Sequence, residues 1–179
     1  MVKDNVVKSE EFLAKLYFIK LQKKEWNEVA KLYTPEALKE FKSMITSPLE
    51  ASSVEFPEEF SAGLFEGLFG SEKTIEDIKE MSDIDFFANF LRNSVEMASE
   101  AGGGVDFKSL NIIGSVSEGD SICHILARMY VEVGEMEFEK LEILSVKKIR
   151  DTWGIILQGQ VKGMAKQFVK MFDHDSRLG

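Results

Sequence analysis

The chain has 179 residues, of which 44% are hydrophobic and 30% are charged. This composition is typical of one globular domain and excludes a disordered chain. Lysine and arginine number 22 against 31 aspartates and glutamates, so the formal net charge at pH 7 is −9. Because a nucleic-acid backbone repels a chain of that charge, we expect no nucleic-acid partner.

Three classes of protein are disfavoured by the residues that the chain lacks. No run of residues approaches the ~18 apolar residues of a membrane span, so we expect no membrane partner. Residues 1–5 are not followed by the apolar stretch of a signal peptide, so we favour the cytoplasm. Cys123 is the single cysteine, which excludes an intrachain disulfide. Together with His124 and His174 it falls short of the ligand set of a structural zinc site, so we expect no metal and no other cofactor.

The first hundred residues show helical periodicity. Thr34 followed by Pro35 is typical of a helix cap and the first helical position, and Thr46-Ser47-Pro48 is predicted to end that helix. Residues 47–81 are the least regular, and Gly102-Gly103-Gly104 ends the helical half. The predicted helices cover residues 8–24, 25–33, 36–45 and 84–100, with a further turn beginning at Thr74.

After Gly104 the spacing of the apolar residues changes from the helical period to the alternation that is typical of strands. Four strands are predicted, joined by short turns in sequential antiparallel order, at residues 106–117, 121–133, 137–150 and 153–160. The helices of the first half must cover one face of this sheet. The predicted fold class is therefore α+β, with N-terminal helices packed on a curved antiparallel sheet of four or more strands around a cone that can form a pocket. We expect one domain over 1–179, divided into a helical half at 8–100, a sheet half at 105–160 and a C-terminal helix at 161–172.

Two parts of the sequence resemble the nuclear transport factor 2-like (NTF2-like, or SnoaL-like) superfamily. Residues 25–37 read EWNEVAKLYTPEA, which is similar to its second-helix signature. The blocks at 124–130, 141–148 and 151–157 are similar in order to its last three strands. The resemblance implies a cone-shaped barrel and homodimers that pair through the sheet. Residues 47–81 show no counterpart of the early hairpin, which often carries the general base of the superfamily's isomerases and dehydratases.

The strand predicted at 121–133 has two different faces. His124, Arg128 and Tyr130 lie on one, and an apolar row that includes Met129 lies on the other. If the polar face lines the cone, His124 is a candidate catalytic acid or base and Arg128 can hold a carboxylate. If it faces solvent or a dimer interface, Arg128 pairs with a glutamate across the strand, which we favour.

Further aromatic side chains complete the set of ligand-pocket candidates. Phe65 belongs to a segment rich in glycine and phenylalanine, residues 63–70, that is predicted to form a lid or plug over the cone. Aromatic residues at helical spacing are more often core than ligand contacts. The candidates are Tyr17, Tyr33, Phe65, Phe90, His124, Arg128 and Tyr130.

Three functions remain open, because the superfamily includes enzymes and ligand-free modules alike. We favour a non-catalytic NTF2-like domain that binds a small apolar ligand or a protein partner. The alternatives are an isomerase, cyclase or dehydratase that uses His124, and a pure protein-interaction module, which a cone plugged by Phe65 or Phe69 favours. The strand at 121–133 carries large apolar or aromatic side chains on both faces, and the chain's own helices can cover only one of them. We therefore predict a homodimer through the sheet, with Tyr130 or Met129 near its centre.

Overall fold

The structure is a computed structural model that describes residues 9–51, 67, 69–70, 73–159 and 161–163. The described helices are α1 (Glu10–Gln22), α2 (Trp26–Ala30), α3 (Pro35–Ala51), α4 (Ile75–Glu80) and α5 (Asp83–Gly102). The strands are β1 (Val105–Glu118), β2 (Ile122–Val133), β3 (Met136–Ile149) and β4 (Thr152–Ile155). The α+β class and an antiparallel sheet of four strands are thereby confirmed. The fourth strand, predicted at 153–160, is shorter than expected, because the chain turns away from β3 after Ile155. The helix predicted at 161–172 lies outside the described residues except for 161–163, which are helical.

Side-chain caps begin the helices where the sequence predicts them. The N–H of Phe12 donates to Ser9 Oγ over 3.2 Å, and the N–H of Ala37 donates to Thr34 Oγ1 over 3.1 Å. These bonds satisfy backbone donors that have no partner within the first helical turn. At the other end of the helical half, Gly103 adopts a left-handed conformation with φ of 89° and ends α5, as the glycine run predicts.

The predicted end of α3 is wrong. The helix passes through Thr46-Ser47-Pro48 and continues to Ala51. Thr46 is buried, and its hydroxyl donates to the carbonyl oxygen of Lys42 over 3.1 Å. The hydroxyl therefore bonds to the preceding helical turn instead of beginning a new turn, and the helix is not interrupted at this residue.

The four strands form one antiparallel sheet in the order β1-β2-β3-β4. β1 carries register shifts between Phe107 and Ser109 and between Ile112 and Gly114, and such bulges bend a strand. β2 and β3 pair without interruption along their shared length. The sheet is open, since β1 and β4 are its two ends and do not pair within the described residues. A closed cone is therefore not present in this part of the chain.

One face of the sheet, here called the inner face, packs on the helices. Ile125 and Val146 are buried on it and belong to one core with the helical aromatics. The Phe41 ring meets Phe87 edge-on, with centroids 5.0 Å apart, and Phe69 packs 4.8 Å from Phe86. None of the helices in the described ranges is long and apolar enough to cross a membrane.

The connection between α2 and α3 is hydrogen-bonded to β4. The N–H of Thr34 donates to the Ile155 oxygen, and the N–H of Ile155 donates to the Leu32 oxygen, both over 2.8 Å. The close approach requires a glycine at position 154. A Cβ atom there would lie 2.8 Å from Cγ2 of Thr34, well inside van der Waals contact.

We predict that Gly154→Ala lowers the free energy of unfolding by about 1–3 kcal/mol, because the new methyl overlaps Thr34. Thr34→Ser removes Cγ2 but keeps the capping oxygen, so the loss caused by Gly154→Ala should shrink in that background. Urea unfolding of the four proteins measures this coupling. Gly114→Ala is the control, since a Cβ there meets nothing within 4 Å. An equal loss in both backgrounds would contradict the proposed overlap.

A second prediction concerns the end of α1, where Lys24 adopts φ of 55°. The N–H of Glu25 donates to the Lys20 oxygen and the N–H of Lys24 to the Leu21 oxygen, the two bonds of a Schellman motif. Glycine adopts this conformation without steric cost, so Lys24→Gly should raise the free energy of unfolding by roughly 0.5–1 kcal/mol. Lys23→Gly is the matched control, because Lys23 is right-handed, and it should lower stability. Equal losses in both variants would refute the assignment.

Candidate functional site

Two of the pocket candidates, Tyr17 and Tyr33, meet between the helices and the sheet. Their ring centroids lie 6.3 Å apart in an edge-on arrangement. Burial raises the pKa of Tyr17 to about 12, which a hydrogen bond with Tyr33 partly opposes. Burial also raises the pKa of Tyr33 well above its usual value, and the Glu142 carboxylate acts in the same direction on both hydroxyls. Both tyrosines are therefore neutral at physiological pH.

A small cavity lies beside this pair, between α1 and the inner face. Its volume is about 20 Å³, and the surface that lines it is apolar. A cavity of that size holds about one water molecule, whereas sites for small organic ligands measure roughly 300–1,000 Å³. The space that the described residues enclose here is therefore too small for such a ligand. The lining residues are Ala14, Tyr17, Phe18, Leu110, Ile125, Ala127, Met129, Glu142 and Leu144.

The remaining aromatic candidates do not form a pocket or a lid among the described residues. Phe69 is 1% exposed and packs against Phe86, so it belongs to the core of the helical layer. Phe65 lies outside the described residues. Phe90 is half-buried on α5 with its ring 4.8 Å from Phe41, and it belongs to the core packing instead of a pocket.

Sequence reasoning missed one polar residue of the interior, Glu142. It lies opposite Ala127 on the inner face, and its Oε2 atom is buried without a hydrogen bond among the described residues. The Lys140 ammonium is 2.8 Å from that oxygen but outside hydrogen-bond geometry. Counting back in steps of two from Val146 and Leu144 would have placed Glu142 inward.

The raised pKa of Tyr17 predicts a loss of stability in alkali. Because the folded pKa of about 12 exceeds the ordinary value of 10.0, this contribution is fully present below pH 10 and is lost as pH rises through about 12. Urea unfolding at pH 8 and pH 11 should show that the wild type loses about 1 kcal/mol more than Tyr17→Phe. Tyr130→Phe is the comparison. The pKa of this exposed hydroxyl is raised chiefly by its hydrogen bond to Glu139, so the loss of this variant in alkali should lie between those of the wild type and of Tyr17→Phe. Equal pH dependence of wild type and Tyr17→Phe would contradict the burial of this hydroxyl.

The other three candidates, His124, Arg128 and Tyr130, lie on the opposite, outer face of the sheet. β2 alternates strictly, and its buried residues, including Met129, face the helices. Among the described residues these three side chains therefore do not line the cavity, and they lie as the favoured interpretation, a row that faces solvent or an interface, predicts. The expectation that Met129 belongs near an interface centre is wrong, since its side chain points inward.

The three polar candidates on the outer face have partners within the chain. His124 Nδ1 lies 2.9 Å from Ser145 Oγ, and His124 Nε2 lies 2.9 Å from a carboxylate oxygen of Glu118. Arg128 forms an ion pair with Glu139 on β3, as favoured from the sequence. The pKa of the Glu139 carboxyl is lowered by hydrogen bonds from Tyr130 and from Arg128.

Apolar side chains occupy the centre of the outer face. Leu126 lies directly opposite Ile143, and Leu141 is the next outer residue along β3. Ile143 is 52% exposed and Leu141 is 56% exposed. A solvated antiparallel face is usually polar, so exposed aliphatic groups on neighbouring strands are unusual. Ile113 and Val116 of β1 are also exposed.

The charged side chains next to this apolar centre balance, since Arg128 and Lys147 are positive and Glu118 and Glu139 are negative. Farther along the same face lie Asp106, Glu132 and Glu137, of which the first two pair with Lys108. Across the described residues, no three His, Cys, Asp or Glu side chains are grouped closely enough to hold a metal ion.

Comparison of the chain with protein-family models, with curated proteins and with solved structures returns no significant match.

Proposed function

We propose that this chain is a non-catalytic, NTF2-like protein-interaction domain, and that its outer sheet face binds a second copy of the chain. The observation that carries the proposal is the apolar centre of that face, where Leu126, Leu141 and Ile143 are contiguous. The two sequence segments that resemble the superfamily support the same proposal, because its members often pair through the sheet.

Charge favours a second copy as the occupant of this face. Two chains with a net charge of −9 repel each other, and they can associate only through a region where the local charge is small. The part of the outer face around Leu126 and Ile143 meets that condition, since Arg128 and Lys147 balance Glu118 and Glu139 there. Arg128 and His124 already bond to Glu139 and Glu118, so burial of their surroundings leaves neither of these two side chains unpaired.

The arrangement has the anatomy of a protein interface. Aliphatic side chains form the centre, and hydrogen-bonded polar groups lie on either side of it, His124 with Glu118 and Arg128 with Glu139. A two-fold axis near Leu126 and Ile143 would place each apolar centre on its copy.

The interior supports a non-catalytic role. The cavity beside Tyr17 holds about one water molecule, and its surface is apolar. Both ring nitrogens of His124 are engaged by Ser145 and Glu118, and the imidazole lies on the opposite side of the sheet from the cavity. Binding of a small apolar ligand would need a larger space than the described residues enclose.

Sedimentation equilibrium tests the proposed dimer at micromolar concentration. We expect a species of twice 20.3 kDa for the wild type. Ile143→Glu places a charge at the centre of the outer face and should yield the monomer. Phe12→Glu is the matched control: Phe12 is 50% exposed, close to the 52% of Ile143, but it lies on α1, so this variant should remain dimeric. A wild-type monomer, or equal dissociation in both variants, would overturn the proposal.

A further inference from the structure

The long edge of β3 lacks a neighbouring strand over most of its length. β4 pairs only with Val146–Ile149, and the N–H of Ile156 then donates to the Ser145 oxygen over 3.0 Å as the chain turns away. Within the described residues, Met136–Leu144 pairs with β2 on one side and with no strand on the other. Alternate N–H and C=O groups along these nine residues therefore have no strand partner in the described ranges and can accept an added strand.

This edge also lacks the devices that usually protect an exposed strand. Its pairing with β2 has no bulge, and residues 136–144 contain no proline and a single lysine, Lys140. Proteins commonly blunt free edges with bulges, prolines or lysines. β1, the other end of the sheet, has two register shifts, and Gln22 of the adjacent α1 donates to the Lys108 oxygen over 3.3 Å. The two edges are therefore not equivalent.

The charge along the β3 edge selects among possible occupants. Four glutamates and one lysine lie between residues 135 and 142, which gives −4 + 1 = −3. Glu135 and Glu137 form no ion pair in the described part of the chain. A second copy of this edge would carry the same charge and be repelled, whereas a basic segment would be attracted.

Side chains on both sides of the strand offer contacts to an added neighbour. Met136 is 57% exposed and Phe138 is 47% exposed, and both belong to the inner-face row at the end of the hairpin. At the other end of the edge lies an open groove of about 340 Å³ that includes Glu142, whose Oε2 atom has no hydrogen bond among the described residues. An added strand with apolar and basic residues in alternation would contact both features.

We infer that the Met136–Leu144 edge of β3 binds an extended segment of a partner protein as an added strand, and that this segment carries lysine or arginine at alternate positions. Backbone hydrogen bonds would provide affinity, and the glutamates between residues 135 and 142 would provide selectivity for basic sequences. This second interface uses the backbone edge of β3, whereas the homodimer uses the outer side chains of Leu141 and Ile143 on the same strand, and neither interface requires the other.

The probe is a labelled ten-residue synthetic peptide in which lysine alternates with valine, followed by fluorescence anisotropy. We expect it to bind the wild-type protein, and the corresponding glutamate–valine peptide to bind at least about tenfold more weakly. A lysine–valine peptide with prolines at alternate valines should also lose binding, because each proline removes one backbone donor and disrupts the pairing of an added strand.

Matched charge reversals locate the binding site. Glu135→Lys with Glu137→Lys should weaken binding about tenfold or more, whereas Glu10→Lys with Glu11→Lys, the same change on α1, should not. Amide resonances of residues 136–145 should shift on titration. Absence of binding by the lysine–valine peptide, equal loss in both double variants, or binding of the proline peptide would overturn the inference, whether or not the dimer forms.

Discussion

Phe41 lies at the centre of the contact between the helical layer and the sheet. Its ring meets Phe86, Phe87 and Phe90 edge-on, and these rings belong to one core with the buried side chains of β2 and β3. Burial of such a cluster is the main favourable contribution to folding in a domain of this size. It also determines which side of the sheet is covered, since the described helices that carry these rings, α3 and α5, lie on the same side.

Two consequences follow from covering only one face. The inner side packs on the helices and leaves a cavity of about 20 Å³ next to Tyr17, which is about the space of one water molecule. The outer face and the edge of β3 remain available, and both carry apolar groups that a solvated sheet does not need. The functional surfaces of this domain are therefore proposed on its outside, with an apolar face for a second copy and an acidic edge for a basic segment.

Much of the fold could be predicted from the sequence, because local signals coincide with the tertiary structure. Thr34-Pro35 begins α3, Gly103 ends α5, and Gly119 and Gly134 adopt positive φ in the turns between strands. The end of α3 could not be predicted, since the Thr46 hydroxyl bonds to its own helix. The residues that flank Gly154 in the sequence also give no sign that Thr34, from a distant part of the chain, packs against it.

The candidate site was harder to predict for a physical reason. Side chains alternate between the two faces of β2, so the polar set that contains His124 lies opposite the apolar set that contains Met129. The alternation alone does not say which of the two sets faces the helices. The buried carboxylate of Glu142 was missed because acids are usually solvated, and an inward position needs the register of β3. The free edge of β3 depends on the shortness of β4, which only the pairing pattern reveals.

The central claim is that the apolar outer face is buried against a second copy. It is tested most directly by methyl NMR in the presence of a soluble nitroxide, which broadens the signals of methyl groups that are exposed to solvent. The spectra are recorded from millimolar to micromolar protein concentration. Protection of the Leu126, Leu141 and Ile143 methyl groups at high concentration, lost on dilution while the exposed Met136 methyl stays accessible throughout, is the result that this account predicts. Equal broadening of all four methyl signals at every concentration would contradict it.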